Sequence, residues 1–145
     1  MSIIEIKAAA FANRDNEILE IFKPYGFNLK KDCRDLSLTT KDIRKIEEEI
    51  IQTLRDNFLS DPSKYPSEPL HISENKLVLA LKIRAHYPKK NIGLSGALRV
   101  LVLLQQGDDK ALVFHVFSKS GTHRKDNLSD NEKNSVVKMV DDLSK

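Results

Sequence analysis

The chain has 145 residues, with 24 Lys plus Arg against 21 Asp plus Glu, 40% hydrophobic and 31% charged residues, no Trp and a single cysteine, Cys33. This length and balance predict one domain over residues 1–145 that buries its own core and needs no disulfide or metal staple. A lone cysteine excludes a disulfide framework and a cysteine-based zinc site. The chain shows neither an apolar leader behind a basic start nor an apolar run of membrane-spanning length, so a cytoplasmic protein without a membrane segment is expected.

The modest net charge of +3 hides a polarised molecule. Residues 76–125 carry ten basic against two acidic residues, a net +8, and the rest of the chain carries 14 against 19, a net −5. Such a segment suits a polyanion, because Lys and Arg that neutralise phosphates release condensed counterions. A solvated basic face is the plainer explanation, and the placement of the charges on their elements decides between them.

In chain order, Ser2 to Phe11 suits a short first strand, which is favoured, or the start of a helix, and Asn13 to Phe22 reads as a short helix stopped by Pro24 and Gly26. Residues 27–37 read as irregular and charged. Thr39 with Asp42 three residues on marks a helix start, and Ile43, Ile46, Ile50, Leu54 and Phe58 recur at a helical interval. The prolines at 62, 66 and 69 predict a long loop, with an insertion near 60–70.

Period-two alternation follows: Leu77, Leu79, Leu81 and Ile83 form an inner face against an open face of Lys76, Val78, Ala80, Lys82 and Arg84. After a turn-rich connection holding Lys89 and Lys90, Ala97 to Leu104 is apolar apart from Arg99, as in a central strand. A turn at Gly107 leads into a third strand, Ala111 to Phe117, with Val113, His115, Phe117 and Lys119 on one face. Ser129 with Glu132 opens a last helix whose buried stripe is Val136, Val140 and Leu143. The expected fold is α+β: a small antiparallel sheet of three to four strands, two N-terminal helices packed on it and a C-terminal helix.

Adjacent strands lie about 5 Å apart, so Arg84, Lys89, Lys90, Arg99, Lys119, His123, Arg124 and Lys125 can converge on one concave surface. An RNA backbone fits such a surface. Cleavage of RNA without a metal needs a base for the 2′-hydroxyl proton, positive charge for the phosphorane and an acid for the leaving 5′-oxygen. Arg supplies the charge, and His123 or a Lys with a lowered pKa supplies proton transfer. His115 reads as a satisfied core or sheet-edge histidine. His71 and His86 lack metal-ligand spacing to Cys33 or to each other. A nucleotide-binding glycine loop, a nucleophile elbow and paired carboxylates are absent from the sequence, so the hydrolase classes built on them are not supported.

The runs Leu81-Lys82-Ile83-Arg84, Gly93-Leu94-Ser95-Gly96-Ala97-Leu98-Arg99-Val100, Phe114-His115-Val116-Phe117-Ser118-Lys119 and Asn127-Leu128-Ser129 resemble the RelE/HigB group of bacterial type II toxins. The resemblance spans residues 76–143. It implies a RelE-like fold, a ribosome-dependent and metal-independent endoribonuclease that cuts messenger RNA, a cognate antitoxin as partner, and no cofactor. Carried over by position, Arg99 matches the strand Arg at the scissile phosphate, and Arg84 and Lys119 match basic positions in neighbouring strands. Lys82, Lys89, Lys90, Arg124 and Lys125 are then RNA-binding candidates. The chain departs from the group in having no Tyr after Tyr87, which leaves His123 as the proton-transfer candidate by proximity. Two alternatives stand beside this expectation: a gyrase-directed toxin of the related ParE type, and a non-catalytic RNA- or protein-binding module.

Overall fold

The structure is a computed structural model and describes residues 8–11, 20–55, 69–87, 98–105, 108, 110–118, 125 and 127–145. Its described elements are β1 (Ala8–Phe11), a 3-10 turn (Lys23–Tyr25), α1 (Leu29–Asp35), α2 (Thr40–Leu54), β2 (His71–Ile72), β3 (Val78–Ala85), β4 (Leu98–Gln105), β5 (Lys110–Ser118) and α3 (Asp130–Leu143). The fold is α+β. Strands β2 to β5 are antiparallel to their neighbours, and β1 adds in parallel to the outer side of β5, giving the order β1-β5-β4-β3-β2.

Two helix starts stand where the sequence puts them. Thr39 Oγ1 accepts from the Asp42 amide and Asp42 Oδ2 accepts from the Thr39 amide, at 3.2 and 3.0 Å. Ser129 and Glu132 repeat this reciprocal pair at α3. Each box satisfies two donors that a helix N-terminus otherwise leaves open. Residues 27–37, expected to be irregular, instead contain α1. Asn28 caps that helix, and Leu29, Cys33 and Leu36 are buried, three apolar positions too few to outweigh the surrounding charges in a sequence pattern. Strand β2 was also unexpected. It pairs His71 with Ala80 and Ile72 with Leu79, and so short an edge strand carries no periodicity to read. Phe58, most of the expected 13–22 helix and most of the 60–70 insertion lie outside the described residues.

Register fixes the two faces of the sheet. Leu79, Leu81 and Ile83 share one face with Leu98, Val100, Val102, Leu104, Val113 and Val116, all almost fully buried. Helix α2 presents Ile43, Ile46, Ile50 and Leu54 to this face and reaches from β1 to β3. The other face carries Val78, Ala80, Lys82 and Arg84 of β3, and it is not open as the alternation suggested. Helix α3 lies across it and buries Val78 and Ala80, leaving only Lys82 half-buried and Arg84 exposed. The α3 stripe is Val136, Met139 and Val140, with Leu143 only partly buried. At its C-terminal end, Asp141 accepts from His71 and Asp142 from Tyr25, both at 2.9 Å.

A bulge in β5 changes which side chains face which way. Leu101 is opposite His115, but Val102 is opposite Val113, so Phe114 is one residue too many for the ladder. The simple alternation put Val113 with His115, and the bulge places them on opposite faces. Phe114, fully buried, stacks on Phe22 at 5.1 Å and takes the edge of Phe27 at 5.1 Å. Among the described residues no helix is long and apolar enough to cross a membrane.

Candidate functional site

Strands β3, β4 and β5 place a row of residues across one face at one end of the sheet. Arg84 is directly opposite Arg99, and Arg99 is directly opposite Phe117. The Lys125 amide donates to the Ser118 carbonyl at 2.7 Å, which holds Lys125 at the end of β5 with its ammonium 5.3 Å from the Phe117 ring centroid. Two guanidiniums and one ammonium thus follow one another over three neighbouring strands.

The two arginines differ in exposure. Arg84 is open to solvent, whereas Arg99 is 4% exposed, with its Nη1 donating to the Leu98 carbonyl at 3.4 Å. Burial lowers the Arg99 pKa, and the facing Arg84 lowers it further. Like charges directly opposite on a sheet oppose each other, and an anion held between them relieves that repulsion. Lys82 lies on the same face, two residues before Arg84. It lines a separate cavity of about 370 Å³ with Leu70, Leu128, Lys133, Val136 and Val137, under α3. Lys89, Lys90, Lys119, His123 and Arg124 lie outside the described residues.

The second feature is a cleft of about 580 Å³ between α1, the end of β5 and the start of α3. Described pairing of β1 with β5 ends at Val113, and Asp32 of α1 takes up the edge beyond it. Asp32 Oδ2 accepts from the Val116 amide at 3.2 Å and lies 2.7 Å from His115 Nδ1. On the other side of the ring, His115 Nε2 lies 3.3 Å from Glu132 Oε2 and 3.2 Å from Lys125 Nζ, and Lys125 Nζ also donates to Glu132 Oε2 in a short contact. Glu132 is held rigidly, since its Oε1 is committed to the Ser129 amide at 2.9 Å.

Burial pulls the His115 pKa down, but hydrogen bonds to Asp32 and Glu132 outweigh it, and the net shift is upward. The His115 hydrogen bond lowers the Glu132 pKa, burial opposes this, and Lys125 and the Ser129 amide add to the lowering. His115 is therefore a satisfied sheet-edge histidine, as expected. Its partners escaped the sequence: Asp32 is 83 residues away in a segment without apparent order, and Glu132 showed only its capping role. The only available signal was Lys125 and Glu132 flanking the Ser129 cap.

Among the described residues, His71 pairs with Asp141 and His86 with Glu49. Among the described residues, no group of three or more His, Cys, Asp and Glu is arranged to hold a metal ion. The geometry can bind phosphate along the Arg84–Arg99–Lys125 row and hold a proton at His115 beside it. Comparison of the chain with protein-family models, with curated proteins and with solved structures returned no match.

Proposed function

We propose that this protein is a RelE/HigB-like toxin of a type II toxin–antitoxin system, a metal-independent endoribonuclease that cuts messenger RNA on the ribosome and is neutralised by a cognate antitoxin in the cytoplasm. The observation that carries this reading is the cross-strand pair of Arg84 and Arg99. Two guanidiniums placed opposite each other concentrate positive charge, a phosphate between them relieves their mutual repulsion, and a planar fork suits the equatorial oxygens of a phosphorane. The row continues to Lys125, which extends the positive track toward the next phosphate of a single strand. In this reading Arg99 and Arg84 stabilise the phosphorane, Lys119 and His123 serve proton transfer, and Lys82, Lys89, Lys90, Arg124 and Lys125 contact the RNA backbone.

The test is toeprinting of messenger RNA on ribosomes with the purified protein and with Arg99→Met, which keeps the buried stem of Arg99 and removes its charge. Cuts within A-site codons that vanish in Arg99→Met support the assignment. Intact message with blocked DNA supercoiling identifies a gyrase-directed toxin instead. Intact message with retained RNA binding identifies a non-catalytic module.

A further inference from the structure

The Lys125 ammonium and the His115 ring share a single acceptor, and that sharing has a chemical consequence. Glu132 Oε2 takes a hydrogen from Lys125 Nζ and stands 3.3 Å from His115 Nε2, while Nζ stands 3.2 Å from the same Nε2. With His115 neutral and its Nδ1–H donated to Asp32, Nε2 is a lone pair that accepts from Lys125. Lys125 then has two protein acceptors, and its charge is turned into the cleft. With a proton from water on Nε2, the ring has no lone pair left, repels the ammonium, and donates to Glu132 Oε2 in Lys125's place.

We propose that protonation of His115 releases Lys125 from Glu132 to serve as a phosphate-binding cation on the row begun by Arg84 and Arg99, so that the protein holds single-stranded RNA more tightly as the pH falls. Lys125 is placed for this. Its backbone is pinned to Ser118, and its ammonium already lies over Phe117, the cross-strand neighbour of Arg99. Glu132 and Asp32 are positioning residues, fixed by the Ser129 cap and by the Val116 amide. The other charged groups lining the cleft are Lys31 and Asp35, and on α1 these two pair with each other at 3.0 Å. The strand on the far side presents Leu101 to His115, so no charge from β4 faces the ring directly. Hydrogen bonds to Asp32 and Glu132 outweigh burial and raise the His115 pKa above its ordinary 6.5, which favours the protonated ring.

The proposal rests on the RNA-binding reading of the row, and two measurements separate their failures. The first needs no ligand. Because Lys125 and the imidazolium compete for one oxygen, Lys125→Gln must raise the His115 pKa, read from the imidazole resonances in a pH titration. An unchanged His115 pKa in a folded Lys125→Gln protein overturns the competition, whatever the row binds.

The second measurement is the affinity for a fluorescein-labelled single-stranded RNA oligonucleotide, taken as a function of salt at pH 6 and at a pH above the His115 pKa found in that titration. In the wild type the lower pH adds one phosphate contact, which steepens the log–log salt slope by about 0.7 and tightens binding about threefold. Every other pH-dependent contribution is common to the variants, so the difference between proteins is decisive. Lys125→Gln must abolish the added slope, and His115→Gln must make it independent of pH. If His115→Gln does not fold, Lys125→Gln alone decides. The same pH-dependent slope in wild type and Lys125→Gln overturns the proposal. RNA affinity that Arg84→Gln and Arg99→Met leave untouched overturns the reading of the row instead.

Discussion

Asp32 performs two tasks with one oxygen, which makes its removal informative. Oδ2 caps the Val116 amide at the edge of β5 and binds His115 Nδ1, with both side chains largely withdrawn from water. Asp32→Ala strands the amide, at about 1.5 kcal/mol for a buried donor left unmade, and removes the counter-charge of the imidazolium, for about as much again. Asp32→Asn retains an acceptor for the amide and loses only the charge. The folded His115 pKa lies above its ordinary 6.5, so its charge stabilises the fold fully below that value and the stabilisation fades as the pH rises through the folded pKa. At pH 6, Asp32→Ala should cost about 3 kcal/mol, or roughly 10 °C in Tm for a chain of this length, and Asp32→Asn about half. At a pH above the folded His115 pKa the Ala variant should cost about 1.5 kcal/mol and the Asn variant close to nothing. Guanidinium unfolding at the two pH values measures all four numbers. Equal costs for Ala and Asn, or costs indifferent to pH, would refute the idea that Asp32 acts through a charged His115.

The Glu132 pKa is lowered on folding, so its ion-pair stabilisation is present above about 4.5 and lost as the pH falls; with His115 included, the cleft network should stabilise most between about pH 4.5 and 6.5, as thermal melts of wild type against Glu132→Gln across pH will show. Arg84→Gln removes one of two opposed cations at an exposed position, so its Tm should hold or rise by about 1 °C while growth inhibition falls. Retained toxicity in this folded variant would count against the phosphate assignment. Phe114→Ala empties a fully buried site between two phenylalanine rings and should cost about 3–5 kcal/mol by chemical denaturation. Ser129→Ala removes the hydroxyl that accepts from the Glu132 amide but keeps the backbone amide that holds Glu132 Oε1, so thermal melts should show a loss of about 1 kcal/mol while the His115 resonances titrate as in the wild type.

Helices α2 and α3 were legible because their signals are local: a reciprocal cap three residues wide, and apolar positions spaced at a helical interval, both confined to one element. Strands β3 to β5 were legible for the same reason, through alternation and an apolar run around Arg99. Helix α1 and strand β2 were not, since each is short and gains its stability from what it packs against or pairs with. The opposition of Arg84 and Arg99 could be hoped for from strand order, but only the register of β3 on β4 makes them direct neighbours. Arg99 also proved almost entirely buried, so truncating it to Ala removes packing as well as charge. That is why Arg99→Met is the sharper variant.

Amino-acid order alone determined the fold class, the two capped helices, the three long strands and the concentration of cations between residues 76 and 125, because each of these depends on neighbours within a turn or a pleat. Tertiary structure alone decided that α3 covers the face expected to be open, that a bulge at Phe114 turns Val113 away from His115, and that Asp32, His115, Lys125 and Glu132 meet. Those outcomes depend on Asp32 sharing one desolvated space with groups 83 residues away or more, where a carboxylate, an imidazole and an ammonium set one another's charge. No local pattern encodes such a meeting, since the four residues lie in separate stretches of the chain and none carries a signal that names its partners.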